Sequence, residues 1–477
     1  MAIVGAFAVP HPPLIIPAVG HGREHDIQAT VDAYEEVARR IAALAPDTVV
    51  IASPHSIMYR DYLHISPGRG ARGSFAQFRA SQAAYECSYD QQFVAALEAA
   101  CQAEGLAAGT LGERQPELDH ATMIPLHFLE LACKEAGKPL PQVVRMGLSG
   151  LSPALHYEVG MLVQRVASVM HKRVVFVASG DLSHKLLAEG PYGFAPEGPE
   201  FDERICRDFA EADFLDLLCM DRGFAERAAE CGLRSFQIMA GALDRTQVRA
   251  ELLSHEGPFG VGYGIAAFEP VGDEGACEER AFLEAYEQWH ADDLAARRAA
   301  EDELVSLARL SLETFVRSGG IRVRVNDLPD GRTLSPELLQ RRAGCFVSLK
   351  IDGELRGCIG TILPTRSSLA EEICANVVSA GRRDSRFSPV QADELDELVY
   401  DVDVLTEPEP IASEAELDVR RYGVIVSTAD GRRGLLLPDL DGVDTVDEQV
   451  RIAAQKGGID LFGDDYRLER FQVERHV

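Results

Sequence analysis

The sequence of 477 residues contains no run of about 18 or more apolar residues, the length a helix needs to cross a bilayer. That excludes a helical membrane span. Its first residues, MAIVGAFAVPHPPLIIP, lack a basic stretch ahead of the apolar part. Prolines interrupt them where a signal peptide needs an unbroken apolar core. They are expected to form a buried strand and a loop, and the chain to stay in the cytosol. Positive charge is scarce. Lys and Arg number 47 against 76 Asp and Glu, a net charge of −29, and such a surface repels nucleic-acid phosphates. DNA and RNA are therefore not expected as partners. None of the ten cysteines stands in a CxxC pair, so zinc-ribbon and thioredoxin motifs are absent and mostly reduced, buried thiols are expected. A phosphate-binding glycine loop is missing too. GVGYG (260–264) and GCIG (357–360) lack a following Lys-Ser/Thr and a GxGxxG context.

What is present is ordinary globular composition over a length that accommodates two or three cores. Up to about residue 270, short apolar runs alternate with helical patterns. IVGAFAV (3–9), DTVVIAS (47–53) and RVVFVASGD (173–181) read as buried strands, and 26–44 and 154–170 as helices. The Gly-rich run GPFGVGYGIAAFE (257–269) reads as a closing strand. This alternation predicts an α/β fold with a larger mixed or parallel sheet flanked by helices. Residues 271–299 are charged and Ala-rich, and predict a helical linker. A smaller α/β or α+β domain is expected over 300–477. It opens with an amphipathic helix stopped by Gly319 and Gly320, and continues with strands at 345–351, 398–405 and 422–428 and a helix near 368–380.

The histidines carry the chemistry. Three strands each run into a loop bearing one: AVPHPP with His11, IASPHS with His55, and ASGDLSH with His184 after Asp181. Ligands of open α/β sheets sit outside the carboxyl ends of the strands, so these three can converge. Pro12, Pro13 and Pro54 stiffen two of the loops. Asp119 and His120 stand at a helix start, and His127 lies two turns further along the same face. The other histidines, His255 among them, read as surface or packing residues. A His-rich crevice with open positions suits Fe(II), Zn or Cu, and two His plus one carboxylate suits Fe(II). Glu230 and Cys231, side by side before an apolar helix, are the candidates for the third ligand.

At these residues the chain resembles a known superfamily. PHPP, SPH, DHATMIPL, SGDLSH and ECGLRSFQIMAGAL look like class III extradiol ring-cleavage dioxygenases of the LigB type, and like the MEMO family that shares their fold; the resemblance covers about 1–270. It implies His11 and His55 as metal ligands. His120 matches the active-site His of a DHG-type motif, here DHA, and His184 matches a second active-site His. These two would serve as catalytic base and acid, with Asp181 or Asp119 fixing a tautomer. The dioxygenases place Glu at the third ligand position and MEMO members place Cys. Counting back from the GAL segment puts Cys231 there, with Glu230 one residue off. A thiolate is softer and open to oxidation, which turns the reading from ring cleavage towards MEMO.

LRGCIGT (355–361), RRDSRFSP (382–389) and RGLLLP (433–438) resemble the AMMECR family over about 300–477. A chain joining the two halves is similar to the AmmeMemoRadiSam system protein A family, which implies a radical-SAM enzyme as partner. In the second domain, Cys358 with Arg356 beside it is either a thiol of lowered pKa or a small buried residue in a tight turn. Arg356, Arg383, Asp384 and Arg386 form either a polar cleft or an ion-pair network. Three functions follow. One is an extradiol-type oxidoreductase on a small, aromatic or related substrate. The second is a MEMO-like metal protein acting with a radical-SAM enzyme without ring cleavage. The third is a non-enzymatic scaffold.

Overall fold

Strand β1 (Ile3–Val9) is buried along its whole length, as expected of a strand covered on both faces. Its alternate side chains serve two different cores: Ala6 and Ala8 face one, Phe7 and Val9 the other. The structure is a computed structural model describing residues 2–477, apart from 113–116, 273–274, 441 and 444. With β1 stand β2 (Thr48–Ala52), β3 (Gln142–Met146), β4 (Val174–Ser179), β5 (Val248–Glu256) and β6 (Tyr263–Pro270). They make one six-stranded sheet in the order β3-β2-β4-β1-β6-β5. The first four run parallel, while β6 pairs antiparallel with both β1 and β5. The fold is mixed α/β. Strands β2, β4 and β1 are neighbours, so the loops bearing His55, His184 and His11 leave the same edge of the sheet side by side.

The antiparallel edge differs from the sequence reading. Of the run 257–269 only the part from Tyr263 is strand, and residues ahead of it form a turn. Its partner β5 was not anticipated. VRAELLSHE has the charged, half-exposed pattern of an edge strand. Nor was the hairpin of Gly70–Phe75 and Ala80–Ser88, which is rich in Ala, Ser and Gly.

The chain divides into two units after His290. In the stretch expected as a linker, a helix runs over Phe282–Ala300, and Asp273 and Glu274 lie outside the described residues. The second unit is built of antiparallel sheets. Strands Glu354–Gly360, Cys345–Ile351, Val399–Leu405 and Val473–His476 form one in that order. Helices Glu303–Arg317 and Leu369–Arg383 contribute Leu307, Leu312, Ile373 and Val377 to the core with its inward residues Val347, Leu349 and Val402. A second sheet combines Glu409–Ile411, Tyr466–Phe471, Gly423–Thr428 and Arg433–Leu436, with helix Val446–Lys456 against it. RGCIG lies wholly within the strand Glu354–Gly360, not in a turn. Among the described residues no helix is long and apolar enough to cross a membrane.

Candidate metal centre

His11 enters the site fully buried, at 2% exposure. Its backbone N–H donates to Asp181 Oδ1 at 2.7 Å, and its Nδ1 lies 3.2 Å from Ser179 Oγ. With Nδ1 engaged, Nε2 is the atom turned to the crevice. His55 Nε2 faces it at 3.1 Å, and Cys231 Sγ stands 3.6 Å from it. His120 closes the group, its ring centroid 4.2 Å from that of His55 and 5.4 Å from that of His11. His11, His55 and His120 bring ligand atoms within 4.8 Å of one another, and so do His11, Asp181 and Cys231. Neutral imidazoles with a thiol and a carboxylate are the donor set of a first-row transition metal.

The supports are local. Asp119 caps helix His120–Glu135, accepting from Thr122 N–H at 2.9 Å. It also accepts from Ser53 Oγ at 2.6 Å, and Ser53 Oγ in turn accepts from His55 N–H at 3.2 Å. Beneath them the buried Arg145 lies 3.8 Å from Asp119 and donates to Ser66 Oγ and Glu117 O. Cys231 is brought in by a backbone contact. A Cβ on Gly180 would stand 2.1 Å from Gly232 Cα, so the loop after β4 and the Cys231 segment touch only because both positions are glycine. Cys231 N–H donates to Asp181 O.

Burial sets the charges. It pushes His11 well below the ordinary histidine value, and neighbouring His55 adds to the effect. It brings His120 down to about 3, helped by His11 and His55, and also lowers His184. These imidazoles are neutral at pH 7. Burial raises Asp181 to about 6 against the opposing bond from His11 N–H, and lifts the Cys231 thiol well above its usual range, with Asp181 and Glu230 adding to the rise.

His184 and Asp181 stand beside this cluster. His184 Nε2 is 4.0 Å from Asp181 Oδ2 and, though buried, has no hydrogen-bond partner among the described residues. Tyr192 lies against the His184 ring at 5.0 Å, and Phe78 meets His120 at 5.4 Å. Glu230 is not part of the cluster. Its carboxylate accepts from Leu233 N–H at 2.7 Å at the start of helix Leu233–Ala242, where the unsatisfied N–H groups of a helix start attract it. His127 bonds Tyr85 and lies outside too. Of Asp181 and Asp119, either of which was expected to fix a histidine tautomer, Asp119 has its carboxylate on the helix start and Ser53. The sequence reading missed Ser53 and Ser179, although DTVVIAS and VVFVAS both end in the Ala-Ser that places a hydroxyl at the strand edge.

In the second unit, Cys358 was read either as a thiol of lowered pKa or as a small buried residue, and the lowering of its thiol does not occur. Burial pushes it up, and the neighbouring Arg356 is engaged with Glu394 and Ser388 O. Asp384 accepts from Cys358 N–H and from the Arg386 guanidinium. Arg383 is exposed. Arg356 with Glu394, and Arg386 with Asp384, thus form two ion pairs beside the strand.

A parallel-centred α/β sheet with histidines, a thiol and a carboxylate at its carboxyl edge defines an extradiol-dioxygenase-like protein with a candidate metal site. The family model described as the catalytic LigB subunit of aromatic ring-opening dioxygenase matches residues 5–266, and the chain belongs to this LigB family. Residues 305–476 match the AMMECR1 model and form a second domain. Protein CA_C1420 of Clostridium acetobutylicum is 36% identical, over 100% of this chain and 99% of its own length. A Thermotoga maritima protein is 50% identical over 37% of this chain and 98% of its own. A crystal structure of a Pyrococcus horikoshii protein, PH0010, is 30% identical over 36% of this chain and 88% of that one, with a TM-score of 0.33.

Proposed function

We propose that the N-terminal unit holds one transition-metal ion, iron first and zinc or copper as alternatives, and works as an oxidoreductase on a small substrate. One observation carries this reading: His11 belongs to two sets of donors whose ligand atoms lie within 4.8 Å of one another, one with His55 and His120 and one with Asp181 and Cys231. A metal bound there supplies Lewis acidity and electron transfer to groups at its open positions. The remaining residues act on the substrate. His120, neutral at pH 7, accepts a proton from a substrate hydroxyl. His184 holds its unpartnered Nε2 ready to pass a proton, with Asp181 beside it. Phe78 and Tyr192 flank the two histidines and suit a flat, aromatic or related molecule.

A second reading, a MEMO-like metal protein acting beside a radical-SAM enzyme without ring cleavage, is favoured by the third donor. In this reading the third donor is the Cys231 thiol, and the adjacent carboxylate of Glu230 is spent on a helix start.

Elemental analysis of protein purified without oxygen tests the centre. Near-stoichiometric iron in the wild type, lost in His55→Ala and in Cys231→Ser, is the expected result. A wild type free of metal sinks the proposal. Turnover of catechols under O₂ by the iron-loaded protein would return the reading to ring cleavage.

A further inference from the structure

Behind the candidate metal centre the N-terminal unit encloses a cavity of about 10 Å³. The elements that carry the centre also wall the cavity. Val9 of β1 stands two residues ahead of His11, Ile51 of β2 four ahead of His55, and Pro125 five beyond His120 on its helix. Val177 of β4 lies in the wall as well, as do Tyr34 and Ala38 of helix Gln28–Leu44. At most about 7 Å of chain separates Val9 from His11, and about 7–8 Å of helix rise separates Pro125 from His120. All of these residues are buried.

The lining selects the guest. Among the described residues of the wall, Tyr34 has the one polar side-chain group, and its hydroxyl donates to Pro10 O at 3.0 Å. Phe128 stacks on the Tyr34 ring at 4.4 Å and closes that side with carbon. The volume is about that of one water-sized sphere, but a buried water needs about two to four polar partners, which this wall does not offer. A void deprives its lining of dispersion contacts, and an apolar guest restores them without breaking a hydrogen bond. The guest is thus apolar and no larger than a diatomic molecule. We infer that this cavity is a binding site for dioxygen, held directly behind the metal ligands. The choice of dioxygen among small apolar molecules rests on the oxidoreductase reading, whereas the cavity stands without it.

The test follows the Ile, Leu and Val methyl groups of the full-length protein by NMR, first under nitrogen and then under dioxygen. The protein is prepared free of paramagnetic metal, so that the unpaired electrons of dioxygen alone speed the relaxation of nearby protons. The methyl groups of Val9, Ile51 and Val177 should relax several-fold faster under dioxygen than those of Val144, Val163 and Ile238, which are as deeply buried in the other core of the same unit. Filling the cavity with Ala38→Leu should remove the excess. Equal relaxation of the two sets overturns the inference, as does an undiminished excess in a folded Ala38→Leu protein. Should that variant fail to fold, Val49→Ile adds one methylene to the same wall and takes its place. A protein that shows the excess yet takes up no iron upholds the gas site while the metal centre falls.

Discussion

The Nε2 atoms of His11 and His55 face each other across 3.1 Å, although their strands β1 and β2 are separated in the sheet by β4. Two imidazoles so placed share at most one hydrogen bond, whereas a cation beside them satisfies both lone pairs. Cys231 must lose its proton to join them, because burial holds its thiol protonated at pH 7. Loading the apo protein with Fe(II) should therefore release about one proton per ion. Calorimetry in buffers of different ionisation enthalpy measures it, and a release near zero would remove Cys231 from the ligand set.

Glu230 and Cys231 are adjacent in sequence and separate in role. Glu230→Ala removes an acceptor at a helix start and should cost about 1 kcal/mol of stability, read as a lowered midpoint in urea. Metal content should not change. Loss of metal in a folded Glu230→Ala protein would give the carboxylate the place assigned to the thiol.

Gly180→Ala puts a methyl group 2.1 Å from Gly232 Cα. Backbone on both sides must shift, at a cost of about 1–3 kcal/mol. Since the shift separates Asp181 from Cys231, metal affinity should fall together with Tm. A variant as stable and as metal-rich as the wild type would show that the two loops are free to part.

Hydrogen-bonded to Asp202 at 2.7 Å, His255 is held near 10, against about 6.5 in an unfolded chain. A raised folded-state value means that its stabilisation is fully present below about 6.5 and is lost as pH climbs through 10. The difference in Tm between wild type and His255→Gln should be large at pH 6 and shrink towards pH 10. A difference constant across that range would show that the Asp202 pair adds nothing through charge.

In the second unit, Asp384→Ala leaves Cys358 N–H and the Arg386 guanidinium without their acceptor. A hydrogen bond to a charged group contributes about 1.5–3 kcal/mol, and the urea midpoint should fall accordingly, with the iron content of the protein unchanged.

The sequence made the sheet's buried centre legible because continuous apolar runs such as IVGAFAV admit few alternatives, and it placed His11, His55, His120 and His184 correctly at element ends. The edges were harder. Strand β5 and the Gly70–Phe75 hairpin owe their form to pairing with distant partners, and their own residues carry no apolar period. The choice between Glu230 and Cys231 turns on where a helix begins, since one residue of offset decides which side chain points into the crevice and which caps the helix. Cys358 left two readings open for a related reason. Arg356 is next to it in sequence, but alternation along a strand and the pull of Glu394 decide what the guanidinium touches.

Asp119 binds the first turn of one helix and, through Ser53, the backbone of His55. The spacing between His55 and His120 is therefore set by a single carboxylate that touches neither ring. A drift in sequence at this cap would be felt as a change in ligand geometry before it was felt as a loss of fold. The helix start behaves as a part of the candidate metal centre, and its tolerance to substitution should follow that of the histidines, not that of other helix caps in the chain.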